Sequence, residues 1–296
     1  MDMNELLKKI KDGSVKNVIL DTDTYNEVDD QFTIAYLLRA EDKVKLLSIT
    51  AAPFLNERSS SPEDGMLKSY DEILHTLEMA DKKNSVPVYR GATGYMTEKN
   101  VPQISDAASN IVRIVNESEE TVYIVAIGCI TNVASAIVLD PSIADKAVVI
   151  WLGGHAYWHP NTNEFNMKQD IAAANTVFDS GIAVIHVPCF GMCSELVTTL
   201  PELEYYLRGK NKLCDWLTDM VVDYAPKQSY AWSKIMWDVA AAAVLVKPDA
   251  FMYDIRPTPS VTNDFQYSFD QSRHKYIYIS RLNRNMIFGD MFKRLS

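Results

Sequence analysis

Five carboxylates, Asp21, Asp23, Glu27, Asp29 and Asp30, fall within ten residues of the stretch VILDTDTYNEVDD, directly after the apolar run Val18-Ile19-Leu20. A run of that kind reads as a buried strand. Carboxylates at its end repel one another and are costly to bury unpaired. Hard oxygen donors with little nitrogen or sulfur nearby suit Ca2+ or Mg2+ rather than zinc. A divalent cation would offset the repulsion among Asp21, Asp23, Asp29 and Asp30. Helix capping accounts for Asp29 or Asp30 at the start of a helix, but not for a second pair of aspartates at a strand end.

The elements that must position these groups alternate along the chain. Residues 17–23, 43–50, 121–128, 146–154, 182–188 and 274–282 read as strands, with a short one at 86–91. Residues 29–41, 66–83, 106–118, 131–140 and 170–181 read as helices, and the C-terminal third as mainly helical. Such alternation means an α/β fold, a mostly parallel central sheet flanked by helices. Ligands of such sheets bind beyond the carboxyl ends of the strands. Asp21 and Asp23, GCITN (128–132) and GGHAYWHPNTNEFN (153–166) all follow apolar strands, so they are expected to share one site.

The bulk properties set limits. The 296 residues are 47% hydrophobic, enough for one large α/β domain over 1–296. A net charge of −10 argues against a nucleic-acid or anionic-membrane partner. The N-terminal stretch carries charges where a signal peptide needs an apolar core, and no 18-residue apolar run occurs, so a soluble, cytoplasmic protein is expected. Cys129, Cys189, Cys193 and Cys214 are too few for a disulfide framework and read as reduced thiols.

Several separated segments, in order, resemble the nucleoside hydrolases, the inosine–uridine-preferring N-ribohydrolases with a Rossmann-like fold. VILDTDTYNEVDD is similar to that family's D-x-D-P-G-x-D-D loop, and VAIGCITNVASAI (125–137) to its V-x-x-G-x-L-T-N-[IL]-A segment. VVIWLGG with NEFNMKQDIAAANTVFDSG (163–181), and MWDVAAAAVLVKPDAF (236–251), match two further segments. The resemblance implies Ca2+-dependent hydrolysis of the N-glycosidic bond of a nucleoside or related N-riboside, in a homodimer or homotetramer. It implies Asp23, Asp30, Asp238 and the Ile127 carbonyl as Ca2+ ligands. Asp23 would also be the general base for the attacking water, and Asp21 a supporting residue. Asp29, Glu164 and Asn166 would hold the ribose, with Asn56 a further substrate-binding residue, although it stands out of clean register.

The chain departs from that pattern at defined places. Asp23 and Asp29 lie six positions apart, where the family's loop sets four, and TYNEV replaces its Pro-Gly turn. Tyr25, Asn26 and Glu27 are thus additional candidates at the site. Trp237 stands where the family has a histidine that helps protonate the leaving base, and indole is no acid near neutral pH. His155 and His159 are the nearest candidate acids, Trp237 is assigned to substrate binding, and Trp158, Tyr230 and Trp232 either form an aromatic wall around a base or pack against the core. Glu57 and Arg58 are either site groups or solvated loop residues. Two alternatives stay open: a non-catalytic ribose- or nucleoside-binding protein that keeps the metal site, and a Mg2+-dependent haloacid-dehalogenase-like phosphatase using Asp21 and Asp23.

Overall fold

The computed structural model describes residues 1–227 and 230–296. Its strands are β1 Lys16–Thr22, β2 Val44–Ala51, β3 Val88–Arg90, β4 Val122–Ala126, β5 Ala147–Leu152, β6 Ala183–Val187, β7 Val197–Thr199, β8 Ser233–Ile235, β9 Phe251–Pro257, β10 Pro259–Val261, β11 Tyr267–Phe269 and β12 Lys275–Leu282. Its helices are α1 Met3–Lys11, α2 Asp30–Leu38, α3 Pro62–Met79, α4 Asp106–Glu117, α5 Thr131–Leu139, α6 Phe165–Gln169, α7 Ile171–Asp179, α8 Leu200–Tyr206, α9 Lys212–Tyr224, α10 Val239–Val246 and α11 Arg284–Leu295. Eight strands form the central sheet in the order β3-β2-β1-β4-β5-β6-β12-β9. All neighbours run parallel except the edge pair β12–β9. The expected parallel sheet is therefore present, and the C-terminal third adds β9 and two short ribbons, β7–β8 and β10–β11, to its helices.

Alternate side chains of each strand enter opposite cores, the period-two rule of a sheet covered on both faces. Val18, Leu20, Val125 and Ile150 join one apolar cluster with α1, α2, α10 and α11. Ile19, Ile124, Val149 and Val184 join the other, with α4, α5 and α7. Every residue of α2 and of α10 is buried. The small side chains of VAAAAVLV in α10 let these two inner helices approach one another, so their N-termini converge at the same end of the sheet.

That end is where the connections diverge. From β1 the chain crosses to β2 and β3 on one side, then returns to β4 on the other. The split leaves a crevice beyond the carboxyl ends of β1 and β4, where sheets of this type bind ligands. Asp21 and Thr22 end β1 with Asp23 just beyond, and Ile127 follows β4, its N–H donating to the Asp21 carbonyl at 2.8 Å. Among the described residues, no helix is long and apolar enough to cross a membrane.

A candidate active site at the switch point of the sheet

The innermost layer of the site is a set of strand side chains. Asp21 is fully buried, and its Oδ1 accepts from Thr50 Oγ1 (2.6 Å) and Asn132 Nδ2 (2.8 Å). Burial pushes its carboxyl up to about 6 against the pull of those two donors. Asp21 is thus a strut tying β1 to β2 and α5, set behind the cavity rather than facing it. That placement does not suit a phosphatase nucleophile. Asp23 lies against Gly128, where a Cβ would come 3.2 Å from its Cγ, tighter than an ordinary contact.

The next layer comes from two helix starts. Asp29 and Asp238 occupy the N-cap positions of α2 and α10, yet neither side chain caps its own helix. They turn toward each other: the Asp238 backbone N–H donates to Asp29 Oδ2 at 3.2 Å. Asp30, in the first turn of α2, accepts from Thr22 Oγ1 at 2.5 Å. Oxygens of Asp29, Asp30 and Asp238 lie within 4.8 Å of one another. The positive ends of the two helix dipoles stabilise this negative charge, but not fully. Burial, then Asp29, pushes Asp30 up to about 7. Burial, followed by Asp29 and Asp30, raises Asp238 well above the usual carboxylate range. Asp23 is raised likewise by burial and then by Asp30.

One cation reaches this cluster directly. Lys234 on β8 is 5% exposed, and its Nζ donates to Asp29 Oδ1 (3.1 Å), to Glu27 Oε2 and to the Ile235 carbonyl (2.8 Å). Burial opposes its charge, but Asp29 and Glu27 together hold its pKa above the ordinary lysine value. Glu27 belongs to the lengthened loop, which is fastened from the other side. Asn56 Nδ2 donates to Asn26 Oδ1 (2.7 Å), and the Arg58 guanidinium lies 4.4 Å from the Tyr25 ring centre. Tyr25 is therefore held by a cation.

Facing them, the turn after β5 runs through Gly154 at φ +69°, a conformation glycine takes without strain. There its N–H donates to Glu164 Oε2 at 2.8 Å. Glu164 caps α6, accepting also from the Asn166 and Met167 N–H groups. Asn166 Nδ2 bridges the Ile127 and Leu152 carbonyls at 3.1 Å each, which leaves its Oδ1 without a partner.

These layers floor a cavity of about 580 Å³, a size suited to a small organic ligand. Of the residues singled out by sequence, Asp29, Asn56, Ile127, His155, Glu164, Asn166, Trp237 and Asp238 line it, as do Asn26, Glu27, Glu57 and Arg58. Asp21, Asp23 and Asp30 lie behind the lining. His159 stands apart: its ring meets His155 at 4.4 Å, and its Nδ1 is paired with the Asn161 carbonyl. Burial, then His159, pushes His155 down to about 4, so at neutral pH the ring is almost wholly unprotonated and carries no imidazolium proton to donate. The expected aromatic wall is built from other residues. Trp158 and Tyr230 are exposed and Trp232 packs against the core, whereas Phe165, Phe190, Tyr224 and Trp237 line the cavity. Phe190 and Trp237 meet edge to face at 5.0 Å.

Lys234, Thr22, Thr50 and Asn132 escaped the sequence reading. Their only signals were one lysine in the apolar WSKIMW and polar residues at strand and helix ends, patterns that are common without any site. A test of whether the site suits a cation lies in its unpartnered atoms. Among the described residues, Asp21 Oδ2, Asp23 Oδ2, Asp30 Oδ2 and Asn166 Oδ1 are buried acceptors with no hydrogen-bond donor. Native proteins rarely leave such atoms unsatisfied. The orphaned Asp30 Oδ2 within the group Asp29, Asp30 and Asp238, with the charge of Asp23 felt beside it, fits a hard divalent cation; Asp23 itself is not among those three.

The family model described as inosine-uridine preferring nucleoside hydrolase matches residues 18–287. The chain is 24% identical to a probable uridine nucleosidase 2 of Oryza sativa subsp. japonica, over 86% of this chain and 82% of that one. It is 27% identical to a probable uridine nucleosidase 1 of the same plant, over 80% and 78%. Among solved structures, a plant nucleoside hydrolase superposes with a TM-score of 0.77 at 21% identity, covering 95% of this chain and 98% of the other.

Proposed function

The chain belongs to the inosine-uridine preferring nucleoside hydrolase family of N-glycosyl hydrolases, and from that premise we propose a Ca2+-dependent hydrolase of ribonucleosides or related N-ribosides, releasing ribose and the free base. The observation that carries this reading is the convergence of buried, unpartnered acceptors from β1, α2 and α6 beneath one cavity. Asp23, Asp30 and Asp238 would hold the cation, with the Ile127 carbonyl beside them. When bound, a divalent cation supplies charge compensation and a more acidic water.

The protein's own groups have separate tasks. In this reading Asp23 would take the proton of the attacking water. Asp29 and Asn166 offer acceptors to the ribose hydroxyls. Glu164 already receives three backbone N–H groups, so it acts chiefly by fixing the turn that presents Asn166. The carboxylates also stabilise the positive charge that develops on the sugar as the bond breaks. Trp237 and Phe190 give the base an aromatic surface. Four buried, unpaired cysteines suit a reducing, cytoplasmic setting.

The test is ribose release from a panel of purine and pyrimidine ribosides by Ca2+-loaded protein, with and without chelator. Turnover that chelator abolishes and Ca2+ restores is expected. Absence of turnover on every riboside would overturn the proposal. Metal-dependent thermal stabilisation by ribosides without ribose release would point instead to a binding protein.

A further inference from the structure

Three clustered carboxylates compete for one cation, and they are not equally free to take it. Asp30 keeps an unpartnered Oδ2. Each Asp29 oxygen already has one donor, Lys234 Nζ on Oδ1 at 3.1 Å and the Asp238 N–H on Oδ2 at 3.2 Å, and keeps room for a second hydrogen bond. An ammonium has three protons, and those of Lys234 are spread over Asp29, Glu27 and the Ile235 carbonyl. At 5% exposure the group is fixed, and it contributes nothing to the cavity lining, so it cannot act on a ligand except through its neighbours.

We propose that Lys234 is a positioning residue that reserves Asp29 for the substrate by denying it to the metal ion. The inference rests on the riboside hydrolase reading above. A dication drawn onto Asp29 would come to lie beside the Lys234 ammonium, and like charges at such range repel strongly in a site shielded from water. The ammonium thus steers the ion toward Asp23, Asp30 and Asp238, while Asp29 stays on the cavity wall with acceptor capacity for sugar hydroxyls. Glu27, carried on the lengthened loop, shares the ammonium and keeps it from neutralising Asp29 entirely. The inserted residues and Lys234 therefore form one device, a latch between the aspartate loop and β8.

The experiment measures two affinities that a merely structural salt bridge would move together. Cation-stripped wild type, K234M, K234Q and K234R are titrated with CaCl2 by calorimetry, and KM and kcat are measured with p-nitrophenyl β-D-ribofuranoside, whose leaving group needs no protonation. Removing the ammonium is expected to tighten Ca2+ binding roughly tenfold, as loss of one like charge near a dication implies. It is expected to raise KM by about the same factor as Asp29 is drawn to the ion. K234R should stay within about threefold of wild type in both. K234Q keeps a polar side chain in place should K234M fail to fold. Weaker Ca2+ binding in the neutral variants, or an unchanged KM, overturns the proposal while leaving the parent reading intact. A wild type that neither binds Ca2+ nor cleaves the riboside overturns both.

Discussion

Asp30→Asn in cation-stripped protein separates the stability of this fold from its function. Asp30 is 1% exposed, and burial, followed by Asp29 beside it, lifts its carboxyl from the ordinary 3.8 to about 7. The folded state therefore binds this proton more tightly than the unfolded state. That contribution is fully present below about pH 4 and is lost as pH rises through about 7. At pH 8 the ionised group costs about 4 kcal/mol, at 1.36 kcal/mol per tenfold change in its ionisation constant. Asparagine removes the charge, and its Oδ1 can still accept from Thr22. Stripped D30N should then exceed stripped wild type at pH 8 by up to about 4 kcal/mol, or roughly 6 °C in Tm for a chain of this length. The advantage should shrink to about 2 kcal/mol at pH 5 and close near pH 4. Added Ca2+ should reverse the order, because only wild type retains the full donor set. Thermal and urea unfolding followed by circular dichroism, in chelator at constant ionic strength, reads all of this. A D30N variant less stable than wild type at pH 8, or an advantage independent of pH, would refute the reasoning.

Four further outcomes are expected. Asp23→Asn should lower kcat on any accepted riboside by roughly 100- to 10,000-fold, the range for loss of a general base; steady-state kinetics showing less than a tenfold loss would remove Asp23 from that role. Trp237→His should raise kcat for uridine or inosine more than for the p-nitrophenyl riboside, and equal effects on both would show that leaving-group protonation is not limiting. His186 is fully buried, and burial pushes it from 6.5 down to about 4. Between those values the unfolded chain takes up a proton that the folded chain refuses, so about 3 kcal/mol of stability is lost as pH falls from 6.5 to 4; H186Q should lose less over the same interval in chemical denaturation. Gly154→Ala places a Cβ 2.1 Å from Tyr267 Oη at φ +69°, and a urea midpoint shift smaller than that for about 1 kcal/mol would contradict the strain argued there.

The parts of the fold that were legible from sequence are those with long, pure periodicity. The strands at 17–23, 43–50, 121–128, 146–154, 182–188 and 274–282 agree with β1, β2, β4, β5, β6 and β12 to within about two residues at either end. β7, β8, β10 and β11 have three residues each, too few to show a period of two. β9 was hidden by its place at the sheet edge, where Met252, Arg256 and Ile255 face solvent and blur the apolar pattern. At the site, the aspartates were legible because carboxylates crowded behind an apolar run repel one another unless a cation or donor offsets them. Lys234 was not. Its partners Glu27 and Asp29 lie more than two hundred positions away, and only the topology that brings β8 to the start of α2 reveals the pair. Of the aromatic lining only Trp237 was legible, for a related reason. Phe190 and Tyr224 reach the cavity through loop and helix geometry, which local composition does not encode.

The convergence of α2 and α10 also joins two segments of the acidic centre that lie far apart in the sequence. Its first three aspartates are in place by residue 30, but the fourth, and the ammonium that offsets them, arrive only at 238 and 234. The Asp238 N–H that closes the ring meets Asp29 across 209 positions. A product ending before residue 234 still carries β1 through β6, and with them Asp23, Asp29 and Asp30 crowded together, yet lacks both Lys234 and Asp238. Such a fragment keeps the repulsion, with the Thr22 hydroxyl and the start of α2 against it but neither the ammonium nor the Asp238 N–H. The acidic centre is thus assembled only once the chain has run past residue 238.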